Sequence, residues 1–379
     1  MAVCNMSLIF YNSYDIFLNS KNEDKTTQVP GSKAFKSYLQ IFELNSTAVD
    51  RTNTITFPLK VKVLDFLKMP SYEKFDKTFE EICDERTNFL LLKARNTNRK
   101  LAVLYSGGVD STLILCSILK NATQKDLDNV HVFLNVESIK ENLNFYHDFV
   151  IKKFKCFSSY KFPYFLGRDD YLFVSGENGN QIYGTSRRIH NTFIQKYSLD
   201  GLFKDYKDSQ GQMLDIFRLE LEPEYKKYAE PILKLFTKLV ESAQIDIKNV
   251  YQFYWWLTFT LKWQSVYVRI LTYSLNKDTL KLEENFTTFY HTKEFSLWAL
   301  NNFTKFSEEP NTMDKEISKQ YIFDVNGDKD YLKKPTIGSL HTLVKNKNII
   351  QTIDDNLNYS NEYPGEKYYN FKNDFLNFE

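Results

Sequence analysis

The stretch KLAVLYSGGVDSTLILCSILKN, residues 100–121, decides how the chain is read. Residues 101–105 are a short apolar run with the length of a buried strand, and an apolar helix follows from about Ser111 to Leu119. Between them stands Ser106-Gly107-Gly108-Val109-Asp110-Ser111. A glycine turn between a strand end and a helix start gathers backbone N–H groups at the positive end of the helix dipole, which makes an anion site. Ser106 and Ser111 add hydroxyl donors, and Asp110 adds a carboxylate. A carboxylate beside a phosphate cradle needs a cation between them, so the loop predicts Mg²⁺ at Asp110.

Working outward, VHVFLNV (130–136) reads as a second strand and ENLNFYHDFVIKKF (141–154) as a helix after it. DDYLFVSGENGNQIYG (169–184) holds a third strand at 171–174, then a second glycine turn and a helix. This alternation predicts an α/β fold with a doubly wound parallel sheet and ligands at the strand C-termini. Glycine is scarce, 12 in all, yet Gly107, Gly108, Gly176, Gly179 and Gly184 fall in these two turns. Upstream, the spacing of Phe75, Phe79, Ile82, Phe89 and Leu92 predicts a helix from Tyr72 to about Asn98. The runs SLIFY, YDIFL, SYLQIFEL and TITFPLKVKV predict a small β-rich region over 1–70. Residues 213–305 read as helical and aromatic, with YQFYWWLTFTLKW (251–263) a buried helix. The expected organisation is therefore a β-rich region at 1–70, a main body at 71–350 and an acidic aromatic tail at 351–379. Within the body, the α/β core covers about 95–210 and the helical part about 213–350.

Composition bounds the function. The 379 residues carry a formal net charge of +1 and are 42% hydrophobic, which excludes wholesale disorder and gives no footprint for sequence-blind nucleic-acid binding. The four cysteines show no paired or zinc-site spacing, and Cys116 lies in an apolar run. The residues MAVCNMSLIFYNS carry no basic n-region, and no stretch approaches the apolar length of a membrane span. The expectation is a cytoplasmic protein with no membrane partner and nucleic acid disfavoured as one.

The segment SGGVDS after an apolar strand resembles the pyrophosphate loop (PP-loop) of the ATP pyrophosphatases, which break ATP between its α and β phosphates. No G-x-x-x-x-G-K-[ST] occurs, so it is not a Walker loop. The segment SGENGNQIYG (175–184) is similar to the S-G-E-G-x-D-E-L-F-G segment of the asparagine synthetase and β-lactam synthetase family. FEEICDERTNFLLLKARNTNRK (79–100), EENFTTFYHTKEFSLWAL (283–300), SKQYIF (318–323) and YLKKPTIGS (331–339) resemble the family's stretches before and after these loops.

The resemblance implies an ATP-dependent amide ligase that forms AMP and pyrophosphate. A substrate carboxylate attacks the α-phosphate, and ammonia or an amine then displaces AMP. It implies that Ser106, Gly107, Gly108, Val109, Asp110, Ser111, Gly176 and Asn180 bind the nucleotide and that Asp110 binds Mg²⁺. Glu177 matches the family's acidic residue at the acyl-adenylate, a base for the amine. Lys333 or Lys334 matches the lysine that neutralises the intermediate, and Lys319 aligns less well. Arg187 and Arg188 are placed to reach phosphate or carboxylate, or else to lie in solvent at a helix start. The helical region after 213 is expected to form the acceptor side of the pocket and shield the adenylate from water.

Two departures qualify the likeness. Asn180-Gln181 stands where the family has Asp-Glu, and an amide oxygen binds a hard cation more weakly than a carboxylate. Either the metal relies on Asp110 and the phosphates, or turnover is impaired. Residue 2 is Ala2, so the cysteine nucleophile of glutamine-dependent members is missing and no glutamine hydrolysis is expected. The alternatives are a nucleobase- or tRNA-modifying relative and an inactive nucleotide-binding one.

Overall fold

The computed structural model describes residues 37–38, 40–41, 49–56, 68–184, 187–271, 284–308 and 315–333. Five strands, Lys100–Leu104 (β1), Val130–Leu134 (β2), Lys155–Ser158 (β3), Tyr171–Ser175 (β4) and Phe286–Thr288 (β5), form one sheet in the order β3-β2-β1-β4-β5, all parallel. Leu101 stands opposite Val130 on one side and Leu172 on the other. Every residue of β2 and β4 is buried, as apolar strands covered on both faces must be. The order turns back at β1, so the C-terminal ends of β1 and β4 flank the crevice where open α/β sheets take their ligands.

The expected sheet had three strands, and two more are present. Both lie at edges and are short: β3 is KCFS with Lys155 exposed, and β5 is only FTT. Neither has the length or the continuous apolar run that marks a central strand. β5 lies within the stretch expected to be helical, and Arg86 secures it by donating to the carbonyls of Thr288 and Phe289 at 2.9 and 3.0 Å.

The helix before β1 runs Phe79–Asn96 (α1), not from Tyr72. Thr78 accepts from the Glu81 N–H while the Glu81 carboxylate accepts from the Thr78 N–H, and this capping box sets the start. Phe79 and Ile82 are buried, but Phe89 and Leu92 are 54% and 50% exposed; Leu90 and Leu91 form the buried face instead. The helix after the loop is Val109–Asn121 (α2), and the helix Glu316–Asn326 packs against it. The single helix expected over 141–154 is Leu143–Phe145, a π-turn Tyr146–Val150, and Ile151–Lys153.

Among the described residues, one compact unit contains 78–176, 284–289 and 315–333 and carries the sheet. The other contains 37–77, 177–271 and 290–308 where described, and is helical. Its centre is the helix Val250–Leu261, buried at every residue, as expected of the aromatic run. Of the region expected to be β-rich, Ser37, Tyr38, Gln40 and Ile41 are helical, and most of the rest lies outside the described residues. Arg51 is 2% exposed in the helical unit, donating to Ser296 Oγ at 3.1 Å with its guanidinium 4.2 Å from the Trp263 ring centre. The tail at 351–379 also lies outside the described residues.

Candidate functional site

The turn after β1 is built around two glycines. Gly107 has φ +79°, and a Cβ there would lie 2.1 Å from the Ser138 carbonyl oxygen, so the turn is pressed against the helix Val136–Glu141. Gly108 is the N-cap of α2, and a Cβ there would come within 3.3 Å of Glu141 Oε1. Across the crevice, a Cβ on Gly176 would lie 3.0 Å from Asp110 Cβ and 3.1 Å from the Ser111 nitrogen. The end of β4 therefore passes directly over the first turn of α2, bringing Gly176 to the loop. Val109, Asp110 and Ser111 occupy that first turn, whose amides fall outside a helix's own hydrogen-bond ladder.

The two serines have different places. Ser106 is exposed, with its Oγ 3.1 Å from Ser111 Oγ. Ser111 is buried, accepts the Ser106 N–H at 3.1 Å and donates to the Gly108 carbonyl at 3.1 Å. Ser111 therefore ties the turn, and Ser106 presents a hydroxyl at its surface. Thr112 adds a bond from its hydroxyl to the Gly107 carbonyl at 3.3 Å. A glycine turn with a surface hydroxyl at a helix N-terminus is the kind of place where an anion meets backbone N–H groups.

Asp110 is held by a residue that sequence reasoning missed. Lys315 Nζ lies 2.7 and 2.6 Å from the two carboxylate oxygens, with side chains 4% and 18% exposed for Lys315 and Asp110. The partners are separated by 205 residues, and no spacing or motif marks this lysine among the 49 basic residues. Among the described residues, no group of three or more His, Cys, Asp and Glu could hold a metal ion. A carboxylate already neutralised by an ammonium, with no such group of donors about it, does not fit a magnesium ion held by the protein.

The second turn begins in the α/β unit at Gly176 and continues in the helical unit at Glu177. Within the helical unit Glu177 Oε1 accepts from Arg269, and the two side chains are 25% and 33% exposed. Asn178 adopts φ 71° as N-cap of the short helix Gly179–Tyr183, and its amide donates to the Trp263 carbonyl at 2.8 Å. Gly184 closes that helix at φ +70°, where a Cβ would lie 1.8 Å from Trp255 Cδ1. Trp255 Nε1 and the Tyr251 hydroxyl donate to the Ile182 and Tyr183 carbonyls, each at 3.0 Å. The buried aromatic helix thus fixes the turn by satisfying the carbonyls that a helix C-terminus leaves over. Asn180 is exposed and Gln181 buried.

The remaining expected residues lie on other elements. Arg188 pairs with Glu220 at 2.5 Å, within the helical unit, and Glu220 also accepts from Thr192. Arg187 begins the same helix, Arg187–Tyr197. Lys319 is buried in the helix Glu316–Asn326, and Lys333 is exposed at the end of the helix Lys329–Lys333. Lys334 lies outside the described residues. Cys83, Cys116 and Cys156 are free and buried. Burial raises all three thiols, Cys156 to about 12, which leaves them poor nucleophiles.

The chain matches no family model, and no curated protein matches it. What the fold defines is an α/β protein with a parallel five-stranded sheet and a glycine cradle at its switch point. No described helix is long and apolar enough to cross a membrane.

Proposed function

We propose that the chain is an ATP-dependent amide ligase of the PP-loop type that forms AMP and pyrophosphate, working in the cytoplasm on small-molecule carboxylates and amines. The observation that carries this reading is the cradle after β1, with Gly107 pressed on Ser138 and Gly176 laid over the start of α2. Only glycine lets the turn pack this closely against Ser138 and lets the end of β4 lie on the first turn of α2, which fixes the backbone N–H groups that phosphate oxygens would meet. The first-turn amides of α2 and the Ser106 hydroxyl receive the β and γ phosphates and stabilise the charge that grows on departing pyrophosphate. A substrate carboxylate forms a bond to the α-phosphorus as pyrophosphate leaves, and an amine then forms the amide as AMP leaves. Glu177 takes the amine's proton in this reading, and Lys333 or Lys334 offsets charge on the intermediate; both roles come from the family resemblance. Magnesium enters this scheme as a companion of the nucleotide's phosphates.

A second reading, a nucleotide-binding protein without turnover, is favoured by Asn180 and by the engagement of Asp110 by Lys315 and of Glu177 by Arg269. One experiment separates the two. The protein is incubated with Mg-ATP and a pool of cell metabolites, and the nucleotide product is identified by mass spectrometry beside a Ser106→Glu variant. Ser106 is exposed, so the added charge repels phosphate without burdening the core. AMP and pyrophosphate, absent with the variant, support the ligase; intact ATP bound to the protein supports the second reading. ADP as product overturns the PP-loop reading.

A further inference from the structure

We infer that Lys315 is the resident counter-cation of the loop: its ammonium holds Asp110 where a divalent metal would otherwise sit, so the loop takes up a nucleotide's polyphosphate without a protein-bound metal ion. The inference rests on the nucleotide reading above and concerns what makes anion binding possible there. Two acids border the cradle, Asp110 in the first turn of α2 and Glu141 beside Gly108, the latter 8% exposed. An anion entering beside them meets repulsion unless positive charge is already in place. Lys315 supplies it at 2.6 and 2.7 Å from both oxygens of Asp110, in a pair shielded from water.

The surrounding backbone is arranged to keep that ammonium there. Lys315 has φ 55° and ψ 37°, the left-handed region that a lysine adopts only under constraint, and it is the N-cap of the helix Glu316–Asn326. That helix packs against α2, which carries Asp110, and its ladder begins with the Lys319 N–H donating to the Lys315 carbonyl at 3.0 Å. Gly176 closes on Asp110 from the other side, where a Cβ would lie 3.0 Å from Asp110 Cβ. The carboxylate is therefore held by an ammonium while the base of its side chain packs against a strand end, and among the described residues no group of three or more His, Cys, Asp and Glu could hold a metal ion to draw it away. Asn180, where the resemblance predicts a second metal-binding acid, is neutral and exposed.

The test uses the full chain and two probes. ATP binding is measured by calorimetry in magnesium and in EDTA, and Mn²⁺ binding without nucleotide is measured by electron paramagnetic resonance. The unaltered protein is expected to bind ATP with affinities within about threefold of one another in the two media and to bind no Mn²⁺. Lys315→Met is expected to weaken ATP by at least about tenfold in EDTA and to gain a Mn²⁺ site that Lys315→Met/Asp110→Asn loses. Lys315→Arg, which keeps the charge, should behave as the unaltered protein, and circular dichroism confirms that each variant is folded. ATP binding that collapses in EDTA, with Asp110-dependent Mn²⁺ binding to the unaltered protein, overturns the inference. If ATP binds in neither medium, the nucleotide reading fails. The Mn²⁺ titration then decides the role of Lys315 alone: a site that opens only in Lys315→Met upholds it, and one present in the unaltered protein overturns it.

Discussion

A methyl group at position 107 would fall 2.1 Å from a backbone carbonyl, whereas one at Gly211 would meet nothing within 4 Å. Gly107→Ala must also hold a side chain at φ +79°. It should destabilise the α/β unit by about 3 kcal/mol, seen in urea unfolding. Gly211→Ala, in the helix Gln210–Glu220, should stabilise by about 0.5–1 kcal/mol. His190 provides a second test at this scale. It is buried and stacked on Tyr251 at 4.7 Å, its Nε2 has no hydrogen-bond partner, and burial lowers its pKa from 6.5 to about 3. Below pH 6.5 the unfolded chain takes up a proton that the folded chain refuses. The contribution is therefore complete above pH 6.5 and is lost as the pH falls toward 3. At pH 5 the loss is about 2 kcal/mol, and His190→Phe should remove it from the difference in urea stability between pH 7 and pH 5. The run from Ser106 to Ser111 was legible as a cradle because strand, glycines and helix are adjacent in the chain. The partners of its acid and of Glu177 were not, because Lys315 and Arg269 lie 205 and 92 residues away.

Elements were legible in proportion to how local their causes are. β1, β2 and β4 are apolar runs whose burial on both faces follows from composition, whereas β3 and β5 hold their places by pairing with neighbours. The start of α1 was written in Thr78-Phe79-Glu80-Glu81, a capping box that outranks the apolar spacing extending back to Tyr72. Thr78→Ala should cost about 1 kcal/mol of stability by thermal unfolding. Phe89 and Leu92, part of the apolar spacing that predicts the helix, face outward because the buried stripe of α1 runs through Ile82, Leu90 and Leu91. The second turn depends on an element far from it in sequence. Trp255→Phe keeps most of the ring but leaves the buried Ile182 carbonyl without its donor, costing about 1–3 kcal/mol. Amide exchange at Gln181–Gly184 should accelerate, while exchange in β1, in the other unit, should not change.

At the scale of the molecule, the chain passes between an α/β unit and a helical unit, and the second glycine turn straddles that division at Gly176 and Glu177. A ligand that binds the folded loop stabilises the unit containing it. ATP at one hundred times its dissociation constant should add about 2.7 kcal/mol to unfolding, seen as slowed amide exchange in β1 and α2. Unchanged exchange there at saturating ATP would place the nucleotide elsewhere. The sequence by itself determined the α/β class, the position of the cradle and the buried aromatic helix, since each follows from apolar runs and from glycines next to one another in the chain. Only the tertiary structure decided the edge strands, the anchoring of Gly184 by Trp255 and the pairing of Asp110 with Lys315. Those depend on Coulomb and packing contacts between residues that meet only after the chain has folded, and no local pattern encodes such a meeting.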